Sequence, residues 1–160
     1  MADWIEEGSR APDFTLPTHD GTSLKLSSLR GGPVVLYFYP KDDTPGCTTE
    51  ACGFRDAQPQ FAAHGAVVIG VSPDDPASHE KFRRKHRLPF TLLADVDHAV
   101  AERYGAWREK NMYGRKSLGI QRSTFVIDAT GRVARVFKAV RAAGHDAQVL
   151  AALADLSEKA

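Results

Sequence analysis

Cys47 and Cys52 are the only cysteines in the chain, five residues apart in the run Pro40-Lys41-Asp42-Asp43-Thr44-Pro45-Gly46-Cys47-Thr48-Thr49-Glu50-Ala51-Cys52. The run starts where an apolar, strand-like segment ends and leads into a segment that reads as a helix. At a helix N-terminus the first backbone N–H groups lack intrahelical acceptors and the helix dipole is positive. Both favour thiolate over thiol, so Cys47 is placed to be a nucleophile. Thr44, three residues earlier, can set a hydroxyl beside the sulfur. Pro40 and Pro45 stiffen the approach, and Gly46 lets the backbone come close to whatever the thiolate attacks. The segment lacks a positive charge that cannot titrate away. Arg122, just ahead of the strand-like run Ser123 to Asp128, is the candidate to supply it.

Spacing constrains Cys52. On an ideal helix, residues five apart have Cα atoms roughly 8.6 Å apart, from the 1.5 Å rise and 2.3 Å radius. A disulfide needs less than about 7 Å. The pair therefore cannot be bridged while the helix is intact, and any reaction between the two thiols requires the first turn or more to unwind. Other readings of the pair stay open. Both thiols can be small buried hydrophobes. A zinc site would need a second ligand pair, and no histidine spacing supplies one. There is no Cys-x-x-Cys motif, which favours a peroxide-reacting thiol over a general disulfide exchanger.

The surrounding elements must bring these residues together. Phe14-Thr15-Leu16 and Leu24-Lys25-Leu26 alternate around the Asp20-Gly21 turn and read as a hairpin. Val34 to Tyr39 is a continuous apolar run suited to a central strand buried on both faces. A helix is expected from Thr48 towards Ala63, kinked or divided by Pro59. Ala66 to Val71 is a second buried strand. Asp75-Pro76 caps and opens a helix to about Arg87. Phe90 to Leu93 is a short strand, and Asp97 can cap a helix that Gly105 ends. Residues 106 to 119 read as a loop. Ser123 to Asp128 and Arg132 to Phe137 form a strand pair around Ala129-Thr130-Gly131, the second alternating like a half-exposed edge. Asp146 to about Ser157 closes the chain as a helix striped by Val149, Leu150, Leu153 and Leu156. Alternating β and α elements predict parallel crossovers, and the final strand pair makes the sheet mixed. With no repeat, low-complexity tract or linker, residues 1–160 read as one α/β domain.

Composition narrows the function. A chain of 160 residues with 42% apolar and 26% charged residues has an ordinary globular balance. Its net charge of +1, from 21 basic and 20 acidic residues, gives no reason to expect a nucleic-acid or membrane-surface binder. The basic run Lys81 to Arg87 reads as the solvated, positive C-terminal half of a helix. Met1 to Glu7 is acidic without an apolar core, unlike a secretory leader. Two cysteines do not make a disulfide framework, so a reducing cytosol is the expected compartment.

The stretch Phe38 to Cys52 resembles the active-site segment of peroxiredoxins, most closely the bacterioferritin comigratory protein, or peroxiredoxin Q, subfamily. Pro40, Thr44 and Cys47 meet its Pro-x-x-x-Thr-x-x-Cys pattern. The likeness continues through Ala11-Pro12-Asp13-Phe14, Val71-Ser72-Pro73-Asp74, Pro89 to Asp95, Tyr104-Gly105-Ala106-Trp107 and Gly119 to Phe125. The resemblance implies a thioredoxin-like fold: a central mixed sheet flanked by helices, with an N-terminal hairpin. It also implies a thiol peroxidase acting on hydrogen peroxide and organic hydroperoxides. By that likeness Cys47 is the peroxidatic cysteine, and Thr44 hydrogen-bonds sulfur and peroxide. Arg122 holds the thiolate and the developing charge, Pro40 shields the site, and the N–H groups of Gly46 and Cys47 add stabilisation. Cys47 passes through a sulfenic acid that Cys52 resolves as an intramolecular disulfide. Thioredoxin or a similar dithiol regenerates the enzyme. Neither cofactor nor metal is implied, and a monomer or weak dimer in the cytoplasm is expected.

Glu50 has two readings, a proton-handling group or a first-turn acid stabilised by the helix dipole. Tyr39 and Trp107 read as core aromatics, and the six histidines as surface or capping residues. Two rival functions share the same thiols: a redox sensor or chaperone-like switch, and a disulfide oxidoreductase acting on proteins.

Overall fold

The computed structural model describes residues 3–159. Met1 and Ala2, which open the acidic N-terminal stretch, lie outside the described residues, as does Ala160. In chain order the first half contains β1 (Thr15–Pro17), β2 (Ser23–Lys25), a 3-10 turn (Leu26–Leu29), β3 (Val34–Phe38), α1 (Pro45–Asp56), α2 (Gln58–Ala63) and β4 (Val67–Ser72). The second half contains α3 (Pro76–His86), β5 (Thr91–Ala94), α4 (Ala99–Tyr104), β6 (Trp107–Met112), β7 (Arg115–Ile120), β8 (Ser123–Ile127), β9 (Val133–Phe137) and α5 (His145–Lys159).

The five-stranded sheet runs β5-β4-β3-β8-β9. Helical crossovers make β3, β4 and β5 parallel, whereas β8 pairs antiparallel with both β3 and β9. Every residue of β3 is buried, as its unbroken apolar run predicts. Its side chains alternate between two cores. Val35, Tyr37 and Tyr39 pack with Ala51, Phe54, Phe61, Phe82, Val149 and Leu153 from α1, α2, α3 and α5. Val34, Leu36 and Phe38 face Phe14, Leu26, Val100, Tyr104 and Phe125 on the other side. Phe54 and Phe61 are fully buried, each contributing about 2–3 kcal/mol of burial free energy that holds the α1–α2 pair on the sheet.

Several local expectations move. The first site helix begins at Pro45 rather than Thr48, because proline needs no N–H partner in a first turn and its φ already suits a helix. The division expected at Pro59 falls at Ala57, ahead of it. Residues 106 to 119 are not a loop. They form the β6–β7 hairpin, in register from Trp107↔Ile120 to Met112↔Arg115. Its turn residues Tyr113 and Gly114 both take positive φ, 55° and 77°, the pattern of a type I′ hairpin turn. Two histidines are core residues rather than surface or capping ones: His79 and His145 are 0% and 1% exposed.

Candidate active site

Cys47 is the third residue of α1 and is 1% exposed. The helix's first bond runs from Thr48 N–H to the Thr44 carbonyl at 2.9 Å. The N–H groups of Gly46 and Cys47 precede it and have no carbonyl one turn back to bond. Arg122 arrives from across the sheet. Because β3 and β8 are antiparallel, with Phe38 opposite Ser123, the start of β8 sits beside the end of β3. The sequence places Arg122 at a strand end, but parallel crossovers do not deliver it; the antiparallel register does. Its Nη2 donates to Cys47 Sγ at 3.3 Å, and its Nη1 donates to Glu50 Oε1 at 2.6 Å.

Gly46 makes this approach possible. A Cβ at that position would stand 3.1 Å from Arg122 Nη2, so a side chain there would press on the guanidinium that meets the sulfur. Arg122 is 15% exposed at its side chain. Burial opposes its charge, but Glu50 and the Cys47 sulfur more than compensate, and its pKa rises.

Glu50 departs from the simple reading. With α1 starting at Pro45 it lies in the second turn, so the helix-dipole explanation for a first-turn acid does not apply. Its side chain is 0% exposed. Burial raises its carboxyl pKa to about 7 against the pull of Arg122. Oε2 is buried with no hydrogen-bond partner among the described residues, which favours the protonated form. The structure thus brings a thiol, a fixed cation and a carboxyl able to titrate near neutrality into one buried cluster.

The remaining candidates sit around this cluster in different ways. The Thr44 hydroxyl does not touch the sulfur here; it donates to the Lys41 carbonyl at 2.9 Å. Pro40 is partly buried at the end of β3. Cys52 is free and partly exposed, about one and a half turns nearer the α1 C-terminus, with α1 continuous between the two thiols. This is the arrangement in which helix geometry forbids a bridge. Tyr39 is core, 1% exposed, as expected. Trp107 stacks on His98 with centroids 3.7 Å apart.

A second network, absent from the sequence reading, fixes the approach to α1. The Tyr39 hydroxyl donates to Asp42 Oδ1 at 2.6 Å, and Ser78 Oγ donates to Asp42 Oδ2 at 2.8 Å. His79 Nδ1 also meets Asp42 Oδ2 at 2.8 Å, while His79 Nε2 donates to the Leu93 carbonyl at 2.9 Å. The Asp42 N–H donates to Asp74 Oδ2, which also accepts from Ser72 Oγ. Asp42, Asp74 and His79 lie close enough to be imagined as metal ligands. Their facing atoms are already committed to one another and to Ser72 and Ser78, so the chemistry present is a hydrogen-bond network. Next door, Asp43 holds Lys85 Nζ at 2.7 Å and His86 Nε2 at 3.1 Å. Two residues of the basic run thus pair with the site loop while their contacts stay open to solvent. No sequence signal links Asp42 to His79, 37 residues away; only the fold does.

A buried thiol on a helix start, met by an arginine from an antiparallel neighbour strand of a mixed sheet, defines a thioredoxin-like fold carrying a thiol site. Within that class the chain belongs to the AhpC/TSA family, whose description matches residues 8–136, and to its peroxiredoxin Bcp and peroxiredoxin Q branch. It is 52% identical over 149 residues to a putative peroxiredoxin Bcp of Coxiella burnetii, covering 93% of this chain and 99% of that one. It is 50% identical over 155 residues to peroxiredoxin Bcp of Bacillus subtilis, covering 97% and 99%. Among solved structures, the bacterioferritin comigratory protein of Xanthomonas campestris, studied for alkyl peroxide reduction, superposes with a TM-score of 0.89 at 40% identity, covering 95% and 99%. A cysteine-to-serine variant of Xylella fastidiosa peroxiredoxin Q gives 0.91 at 34% identity, covering 98% and 99%.

Proposed function

We propose that this protein is a thiol peroxidase reducing hydrogen peroxide and organic hydroperoxides, with Cys47 as the peroxidatic residue. The observation that carries the reading is the 3.3 Å contact between Arg122 Nη2 and Cys47 Sγ at the start of α1. A fixed guanidinium and two first-turn N–H groups stabilise the negative charge that develops as the oxygen–oxygen bond breaks. The thiolate attacks the terminal peroxide oxygen. A sulfur–oxygen bond forms, the alkoxide or hydroxide leaves and takes up a proton, and Cys47 becomes a sulfenic acid. The bacterial relatives named peroxiredoxin and the alkyl peroxide reduction studied in the Xanthomonas protein support this reading.

Thr44 hydrogen-bonds the incoming peroxide once its hydroxyl turns from the Lys41 carbonyl, and Pro40 shields the sulfur. Glu50, linked to the sulfur through Arg122, sets how much of the guanidinium charge is neutralised near pH 7. After oxidation, α1 unwinds around Cys47 and the Cys52 thiolate attacks the sulfenic sulfur, forming an intramolecular disulfide and expelling hydroxide, which takes up a proton from solvent to leave as water. Thioredoxin or a similar dithiol reduces that bond, making the protein an atypical two-cysteine enzyme. The cycle needs no cofactor, metal, nucleic acid or membrane partner. Residues 1–160 act as one domain, as a monomer or weak dimer, in the cytoplasm.

The test is coupled peroxide consumption with a thioredoxin system. Cys47→Ser abolishes turnover. Cys52→Ser loses thioredoxin-linked turnover but still forms one sulfenic acid per chain, seen by mass spectrometry after one equivalent of peroxide. Full activity in Cys47→Ser overturns the assignment. Reduction of protein disulfides without peroxide turnover would instead favour the disulfide oxidoreductase.

A further inference from the structure

The two halves of α1 are held by different means. The buried stripe of the helix is Cys47, Glu50, Ala51 and Phe54. Ahead of Cys52 that stripe carries a thiol, a carboxyl and one methyl group. Behind Cys52 stands Phe54, which is fully buried. Releasing the front half therefore exposes no large apolar side chain, whereas releasing the rear half uncovers a whole aromatic ring.

The rear half is also clamped from outside. The first turn of α5 reaches α1 at Gly53, the residue after Cys52. A Cβ on Gly53 would stand 3.0 Å from Asp146 Oδ1 and 3.5 Å from its Cγ, so the Asp146 carboxylate occupies the place of the missing side chain. His145, its neighbour, locks that turn to the sheet. It is buried, with Nε2 2.7 Å from Thr124 Oγ1 on β8 and Nδ1 2.9 Å from Gln148 Oε1. Its ring meets Phe54 edge-on at 5.8 Å between centroids, and Phe137 of β9 at 5.1 Å. Two residues beyond Gly53, Arg55 Nη1 donates to the His86 carbonyl. Glycine weakens a helix interior, so Gly53 is both the easiest place for α1 to break and the seat of Asp146.

We propose that the first turn of α5 is the stop at which the unwinding of α1 ends, with Asp146 on Gly53 as its contact point, so that Cys52 keeps its place and Cys47 travels to it. This rests on the reading of Cys52 as the resolving thiol. Chain length permits it. The five residues from Cys47 to Cys52 span up to about 17 Å when extended, and a disulfide needs Cα atoms within about 7 Å. Unwinding residues 45–51 thus gives enough slack for the bridge while Gly53 stays seated. A Cys52 held on a packed turn is ordered before the reaction, so closing the bridge costs less freedom than it would on a loose chain.

The experiment is amide exchange read by mass spectrometry on the full-length chain, reduced and disulfide-bonded. The disulfide is made with one equivalent of peroxide or with diamide, which takes up two electrons and two protons as the two thiols join. In the wild type, oxidation lowers protection across residues 45–52 and leaves it intact across residues 54–63. In Asp146→Ala the loss runs on to about residue 57 in the disulfide form, while the reduced form keeps its protection there. Disulfide formation in that variant slows about fivefold, as one residue regains its backbone freedom. Asp146→Asn has the same shape and keeps the wild-type boundary and rate. A wild-type disulfide form that loses protection beyond Gly53 overturns the proposal without any variant, and an unmoved boundary in Asp146→Ala overturns it too. Failure of the underlying reading looks different. A chain that diamide bridges and peroxide does not loses the resolving role of Cys52 but not the stop; a chain that neither oxidant bridges loses both.

Discussion

The loop entering α1 and the helix that follows it are held in different ways. Asp42 is gripped from Tyr39, Ser78 and His79 through its carboxylate and from Asp74 through its N–H; the Tyr39 and His79 contacts are buried and the other two partly buried. The helix carries its polar ties singly. Among the described residues Arg122 alone donates to the side chains of Cys47 and Glu50, and near the other end Arg55 Nη1 donates to the His86 carbonyl at 2.8 Å. One region is over-determined, while the other can be released by breaking few contacts. The resolution by Cys52 proposed above makes use of this division: the loop keeps its place while the turn bearing Cys47 unwinds towards Cys52. Phe54, fully buried against Tyr37, Phe61 and His145, marks the part of α1 that stays packed.

The contrast makes four measurable differences between loop and helix. The largest effect belongs to the helix side. Arg122→Ala lowers the second-order rate constant for peroxide by about 100- to 1,000-fold, the usual cost of removing one donor from a site of developing charge. Arg122→Lys recovers only part of it, because an ammonium cannot serve Cys47 and Glu50 with a planar fork. A stopped-flow rate within threefold of wild type in Arg122→Ala would remove Arg122 from the mechanism.

The loop side predicts a stability effect instead. His79→Phe leaves Asp42 short of a buried partner and lowers unfolding free energy by about 3 kcal/mol, read from urea midpoints. The folded variant retains its peroxide rate constant to within about tenfold, since Arg122 does not depend on His79. If the two substitutions produced the same balance of rate and stability loss, the two regions would not be distinct.

Glu50 links stability to pH. Its folded pKa of about 7 lies above its ordinary 4.5, so the folded state keeps a proton that the unfolded chain releases between those values. Its contribution to stability is therefore full below about pH 4.5, declines as pH rises, and is lost above about pH 7, a change on the order of 3 kcal/mol. Glu50→Gln keeps an acceptor for Arg122 and does not titrate. The variant gains on wild type between pH 4.5 and 8, as measured by urea unfolding at each pH. A difference that stays flat across that range would mean Glu50 ionises at its ordinary value.

The smallest effect tests the outer clamp. Asp43→Asn releases Lys85 and His86 from the loop. Both contacts are solvent-exposed, so disulfide formation between Cys47 and Cys52 quickens by only about two- to threefold. Slower formation would show that the clamp assists unwinding rather than resisting it.

How legible the site was in the sequence varies residue by residue. Cys47 at a helix start, Cys52 out of bonding range and Arg122 as the needed cation all follow from local rules about helix ends and thiol chemistry. The strands on either side follow from long apolar runs. The β6–β7 hairpin was hidden because its strands are mostly solvent-exposed, with no alternating apolar pattern, and its turn uses Tyr113 at positive φ where asparagine or aspartate would signal the type. Nothing in the sequence sets His79 and His145 apart from surface histidines; what keeps them inside is Asp42 and Thr124, met only through the fold.

Local chemistry follows from the order of residues: which thiol begins a helix, which lies beyond reach, and that a permanent cation has to come from elsewhere. Those properties depend on neighbours within a turn or two, where spacing is geometry. The tertiary structure alone decided how the cation arrives, that Glu50 is sealed from water and pushed to about 7, that the Thr44 hydroxyl rests on Lys41, and that Asp42 is held by α3. Each of these depends on strand register or burial between segments far apart in the chain, which no local pattern encodes.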